Sequence, residues 1–290
     1  MNITTFEELT KHCQQKNKTI FEVFQEQEAI ENEVSVNEIR NKVKTHIEAM
    51  NEAIKRGLQS SEKGPSNWCG ADCIKLQTSY KEKPAMFGKL FEKITTYALA
   101  TSEENLRMGK IVACPTAGSC GIVPSVLVAL TEEYNIDVET QINGLITAGA
   151  IGAIVSNKVQ LAGAVAGCQA ECGVACAMCA GMIAQIFNGD ETKVLNATAL
   201  ALKNLLGLTC DPVCGLVEVP CIKRNSILAI HAVSASELSL AGIESKIPVD
   251  EVVDALCQTG QLMSPLLKET SLGGLAITKT ALELKEKLFK

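Results

Sequence analysis

Residues Gly144–Ser156 read GLITAGAIGAIVS, an uncharged run made mostly of Gly, Ala, Ile and Leu. It is shorter than the roughly 20 residues that span a bilayer. Asn157 and Lys158 close it, so it reads as a buried helix. The surrounding chain shares its character. From Pro84 onward Ala, Gly, Leu, Ile and Cys dominate, aromatic residues are only 4% of the chain, and no stretch sustains strand-like alternation. Small residues at that density let helices approach closely. The prediction is an all-α fold, compact and helical, with Ala/Gly-rich buried helices. Two runs, Lys110–Cys114 (KIVAC) and Leu216–Val219 (LVEV), stay open as strands but are too short to impose a sheet.

Upstream, residues 4–62 place apolar side chains at helical spacing, first Ile20, Val23 and Phe24 with Gln27, then Ile39, Val43, Ile47, Met50 and Ile54. Ser35 with Glu38 three residues later predicts a capping box for the second set, and Gly57 a break near its end. Glu62–Asn67 (EKGPSN) reads as a loop. The expected organisation is one helical domain over 1–290, with amphipathic helices of 1–62 packed on a body spanning 84–290.

Several function classes drop out on composition. With 27 Lys and Arg against 33 Asp and Glu, the net charge is -6, and nothing supplies the clustered cations that nucleic-acid binding needs. No membrane and no nucleic acid are expected as partners. The opening residues MNITTFEELTKHC show no basic stretch followed by an apolar one, so no secretory signal is predicted and the expected location is cytoplasmic. In a reducing compartment, thirteen cysteines point to metal binding, catalysis or packing and not to a disulfide framework.

Sorting those cysteines is the central question. Cys168, Cys172, Cys176 and Cys179, in GCQAECGVACAMC (167–179), share one face of a continuous helix, and a single face cannot wrap four thiols around one centre. Cys172, Cys176 and Cys179 therefore read as small core residues. Cys168 is the better ligand candidate, because Gly163 and Gly167 before it suggest a helix start or loop. In CDPVCGLVEVPC (210–221), Pro212 and Pro220 bar a regular helix and Gly215 permits a sharp turn, so Cys210 and Cys221 lie on backbone able to bend around an ion. Cys214 is a weaker candidate. Cys176-x2-Cys179 lacks a second well-spaced pair, which disfavours a structural zinc site. His12, His46 and His231 are too few and scattered for histidine-based metal chemistry. Three well-placed thiols are one short of a closed four-thiolate cluster, and an iron without a protein ligand can take substrate as a Lewis acid.

Three motifs in order, PTAGSCGIVPSVL (115–127), GCQAECGVAC (167–176) and CDPVCGLVEVPCIKRN (210–225), resemble the alpha subunit of iron-sulfur-dependent bacterial L-serine dehydratases. The likeness runs from the charged N-terminal helices through ETSLGGLAI (269–277). The resemblance implies an all-helical catalytic subunit that holds a [4Fe-4S] cluster on Cys168, Cys210 and Cys221, leaves the fourth iron to L-serine, and works with a beta subunit. In single-chain relatives a C-terminal cysteine can occupy that iron; ELKEKLFK (283–290) has none, so self-capping is not expected here.

The reaction implied is loss of the α-proton and the β-hydroxyl, followed by hydrolysis to pyruvate and ammonia. The segment 115–124 runs into an apolar helix, whose free N–H groups suit a carboxylate, with Thr116 and Ser119 as hydroxyl donors; an ordinary cap is the plain alternative. Asn225 is a further substrate-binding candidate, with turn duty as its alternative, and Arg224 either orients ligand or is simply solvated. The general base stays open among Ser119, Lys75 and Glu171, none with a diagnostic spacing, or belongs to the partner. A pyridoxal-phosphate dehydratase needs a Schiff-base lysine and a phosphate cup that are not evident. An iron-sulfur L-cysteine desulfidase and a non-catalytic iron-sulfur sensor are the competing readings.

Overall fold

A computed structural model describes residues 3–289; residues 1, 2 and 290, the ends of the expected 1–290 unit, lie outside the described residues. Among the described residues all regular structure is helical, save an isolated bridge between Cys210 and Lys268. The all-α expectation holds. The runs 110–114 and 216–219 are irregular or turn, since neither lies beside an extended partner.

The centre is a stack of helices with few polar side chains: α1 (Phe6–Lys16), α2 (Ile20–Glu31) and α3 (Val36–Gln59) lie outside it, and α5 (Gly88–Leu106), α6 (Ile122–Tyr134), α7 (Val138–Ser156), α9 (Val174–Ile186), α10 (Glu191–Lys203) and α11 (Cys221–Leu240) compose it. The opening run of the sequence analysis is the body of α7. This helix starts at Asp137, whose side chain accepts the Thr140 N–H at 2.9 Å. Every residue of α9 except Gln185 is buried. A Cβ at Gly181 would sit 2.2 Å from Ile151 Cδ1 and 2.9 Å from Thr198 Oγ1, so the missing side chain lets α9 contact α7 and α10 together. Fully buried Ile151, Met182 and Leu202 each contribute about 1.5–3 kcal/mol by leaving water. By length and composition 138–156 and 169–186 are apolar enough to cross a membrane, yet 67% and 89% of them are covered by the rest of the fold, as core helices are.

The first three helices share that core through Phe6, Leu9, Ile20, Val23, Ile47 and Met50. Ser35 Oγ accepts the Glu38 N–H at 3.2 Å and the Glu38 carboxylate accepts the Ser35 N–H at 2.7 Å, the reciprocal cap expected from sequence. Helix α3 runs two residues beyond Gly57 before it ends.

Around this stack sit α4 (Asp72–Glu82), the single turn α8 (Gly163–Ala166), α12 (Val249–Leu262) and α13 (Lys279–Leu288). The irregular pieces gather at one end: 3-10 turns at Ala117–Ser119, Val213–Gly215 and Gly274–Ile277, and a π-turn at Gln169–Gly173. That end carries the site.

Candidate active site

A cavity of about 300 Å³ is lined by Thr116, Gly118, Cys168, Glu171, Cys210 and Cys221, with Cys172 and Glu269 also on its wall. Four separate segments meet there. Gly167, at φ +77, ends α8 and turns the chain so that Cys168 enters the π-turn, consistent with the helix start expected from Gly163 and Gly167. The extra residue of that turn breaks the single face assumed for the four cysteines. Cys172 lies on the cavity wall beside Cys168, where core packing was expected, while Cys176 donates to the Leu228 carbonyl at 3.1 Å and Cys179 is wholly buried.

The Cys210 backbone is fixed by the C-terminal strap: its N–H donates to Leu267 O at 2.9 Å and its carbonyl accepts the Glu269 N–H at 2.7 Å. Asp211 extends the tie, accepting the Leu275 N–H at 2.8 Å. Cys221 is the first residue of α11. One turn on, Asn225 Nδ2 donates to the carbonyls of Gly118 at 2.8 Å and Cys221 at 3.0 Å, and Oδ1 accepts the Gly121 N–H at 3.0 Å. Asn225 is therefore a buried clamp between the 116–121 loop and α11, with its amide already engaged. Arg224 is no solvated surface residue. Its guanidinium donates to Thr209 O at 3.0 Å and reaches Asp211 at 3.4 Å.

The loop's two hydroxyls stand 3.1 Å apart but serve different partners. Thr116 Oγ1 donates to the Glu171 carboxylate in the cavity, whereas Ser119 is fully buried and donates to Cys114 O at 3.0 Å. Ser119 thus sits behind the loop. Lys75 is on α4, 72% exposed and paired with Asp72 at 2.9 Å, and it does not line the cavity. Cys214, in the left-handed region at φ +59, is not on the wall either.

The electrostatics follow from this crowding. Contact with the thiols of Cys172 and Cys210, reinforced by Arg224, holds the Cys168 thiol far below its ordinary range, and the same contact pushes Cys210 far up. Burial, then the Cys168 charge, raises Cys221 to about 12. Burial also raises Glu171 to about 7, against the lowering effect of the Thr116 hydroxyl. A carboxyl poised there can take or return a proton at neutral pH. Sequence reasoning gave no separate weight to Glu269, whose φ of +60 is set within the strap and which was noticed only inside a family motif.

The sequence model of the family described as serine dehydratase alpha chain matches residues 15–276. The chain belongs to this family. Over 290 residues it is 42% identical to the "Probable L-serine dehydratase, alpha chain" of Bacillus subtilis, covering 99% of this chain and 95% of that one. It is 37% identical to the "L-serine dehydratase, alpha chain" of Peptoniphilus asaccharolyticus, covering 99% of each. The "L-serine dehydratase" of Helicobacter pylori is 39% identical over 96% of this chain, but the match spans only 62% of that protein.

Proposed function

We propose that this chain is the alpha subunit of an L-serine ammonia-lyase that converts L-serine to pyruvate and ammonia. The observation that carries the reading is the convergence of Cys168, Cys210 and Cys221 on one cavity wall in a chain matched end to end by L-serine dehydratase alpha chains. The donor set suits a [4Fe-4S] cluster on these three thiols: sulfur donors on irregular backbone, no histidine on the wall, and Arg224 to offset thiolate charge. Glycines make the room. A Cβ at Gly163 would meet Cys210 Sγ at 2.8 Å and one at Gly118 would meet Glu171 Oε1 at 2.5 Å.

When bound, such a cluster supplies a Lewis-acidic iron for the serine hydroxyl, a poor leaving group otherwise. The chain's own residues do the rest. Among Ser119, Lys75 and Glu171, the cavity favours Glu171 as the group that exchanges the α-proton, since it alone combines a place on the wall with a raised carboxyl pKa. Thr116 orients that carboxylate and offers the substrate a hydroxyl oxygen at the wall. Ser119 and Asn225, expected as substrate contacts, act instead by shaping the loop that presents Thr116. We read the described helices as one catalytic domain.

A beta subunit is the proposed partner: relatives of matching length are named as alpha chains, and the Helicobacter pylori protein has additional length beyond the region matched. Thirteen free cysteines, with no disulfide, support a cytoplasmic setting. The test is anaerobic co-expression with a beta subunit, followed by iron and acid-labile sulfide analysis and a pyruvate assay. Equal iron and sulfide with pyruvate from L-serine supports the reading; a colourless, inactive preparation refutes it. L-cysteine assayed in parallel, with sulfide release measured, separates the desulfidase. A cluster without turnover on either amino acid would favour the sensor.

A further inference from the structure

The cavity wall carries two carboxylates, Glu171 and Glu269, and among the described residues no lysine, arginine or histidine lines it. Such a wall repels an anion and attracts a cation. Glu171 is already engaged, because Thr116 donates to its carboxylate. Arg224 stands off the wall, directed at Cys168, Thr209 O and Asp211. Glu269 is the carboxylate left over: it is exposed at the cavity, and among the described residues no hydrogen bond and no ion pair engages its side chain. Its backbone, by contrast, is fixed. The Glu269 N–H donates to Cys210 O at 2.7 Å, Lys268 beside it bridges to Cys210, and φ of +60 holds a non-glycine residue in the left-handed region. The strap thereby ties this carboxylate to Cys210, and its charge raises the proton affinity of Cys210 and of Glu171 alike.

We propose that Glu269 is a specificity residue that accepts hydrogen bonds from the substrate's α-ammonium, so that the cavity selects 2-amino-3-hydroxy acids over 2,3-dihydroxy acids of the same carbon skeleton. The inference rests on the ammonia-lyase reading and assigns a partner to the cationic group of L-serine, which that reading left without one. The chemistry matches. An ammonium presents three donors and no acceptor, as a lysine head does, and an ionised carboxylate only accepts. Hydrogen bonds between charged partners are roughly twice as strong as neutral ones. A hydroxyl in the same place offers one donor and no charge, so L-glycerate forfeits the contact that L-serine makes. Nitrogen and proton both sit on the α-carbon, so Glu269 fixes the first while Glu171 meets the second. Because Glu269 is exposed, water screens its charge, and the contact is limited to about tenfold in binding, the low end for a charged hydrogen bond.

The experiment uses the full chain co-expressed anaerobically with a beta subunit and loaded with iron and sulfide. Ammonia release gives kcat and KM for L-serine, and L-glycerate added to the same assay gives its inhibition constant. The wild type is expected to bind L-serine at least about tenfold more tightly than L-glycerate. Glu269→Gln should raise KM for L-serine about tenfold with kcat within about twofold, and leave the L-glycerate constant unchanged or tighter. Glu269→Asp, which keeps the charge on a shorter arm, should fall between, and iron and sulfide per chain should stay at the wild-type level in both. A merely structural role would weaken both ligands together and release iron. Equal KM in wild type and Glu269→Gln, a parallel loss for L-glycerate, or a wild type that does not distinguish the two acids overturns the assignment and leaves the ammonia-lyase reading standing. No ammonia from the wild type overturns that reading and this one with it. If Glu269→Gln fails to hold iron, the wild-type comparison and Glu269→Asp decide.

Discussion

Two sets of cysteines, all between residues 168 and 221, live in opposite physical settings. Cys176 and Cys179 sit inside α9, wholly buried among Ala, Ile and Met, and burial drives their thiols far up, with Cys176 and Cys114 adding to the effect at Cys179. Cys168, Cys210 and Cys221 sit where three helices begin or fail, on backbone bent by Gly167, Pro212 and Pro220 and tied down by the strap and Arg224. Regular helix hides a thiol; interrupted helix aims it. The same chain therefore uses one residue type as filler and as ligand, and the backbone decides which.

The sharpest way to break that contrast is to exchange sulfur for oxygen in each set. Cys210→Ser or Cys221→Ser is expected to abolish cluster retention, measured as iron and sulfide per chain after anaerobic reconstitution. Cys179→Ser should keep its iron and instead lose about 1–3 kcal/mol of stability, because a hydroxyl replaces a thiol in an apolar setting. Bleaching by Cys179→Ser with colour kept in Cys221→Ser would invert the assignment. Next in size is the clamp between the two settings. Asn225→Ala removes three hydrogen bonds at once and strands the Gly121 N–H and the Gly118 carbonyl. A loss of about 3 kcal/mol in urea unfolding is expected, with faster release of iron. A stable variant that releases iron at the wild-type rate would show that the loop holds its shape without it.

A smaller effect belongs to the core alone. Gly181→Ala gains about 1 kcal/mol in helix propensity, but its methyl meets Ile151 and Thr198, and overpacking of that kind costs about 1–3 kcal/mol. Packing wins, with a net loss of about 1 kcal/mol in the urea midpoint and no change in iron content. If iron content fell as well, core and site would be mechanically coupled and the contrast would weaken.

The core was readable from sequence because its determinants are local. Gly144–Ser156 declares a buried helix by composition, and Ser35 with Glu38 declares a cap by spacing. The π-turn at 169–173 was not readable, since one extra residue in a helix leaves no composition signal; past it, Cys176 and Cys179 are off the cavity wall that Cys168 and Cys172 line. Nor was the pairing of Thr116 with Glu171, which lie 55 positions apart and meet because the π-turn packs against the 117–119 turn. Lys75 shows the converse. It stood among the candidate bases from its nearness to motif segments, yet its helix carries it to solvent beside Asp72. Prolines and glycines showed where the chain would bend, but not which residues the bends would bring together.

The smallest effect lies in the outer layer, where neither core packing nor the site is at stake. Ser35→Ala at the start of α3 should lower stability by about 1 kcal/mol, the usual worth of a side-chain cap. Its pH dependence comes from Glu38, whose carboxyl is held below its ordinary value first by the Ser35 backbone N–H and then by the Ser35 hydroxyl. A depressed carboxyl stabilises the fold above the ordinary value of 4.5 and loses that contribution as pH falls through its lowered value. Ser35→Ala should keep part of this dependence, because the backbone N–H still donates to Glu38, and Glu38→Gln should remove it. Urea midpoints at pH 7 and pH 4 separate the two variants. Identical pH slopes in both would mean that the hydroxyl, not the backbone N–H, orders the carboxylate; either way iron content should stay at the wild-type level, because the cap lies outside the cavity wall.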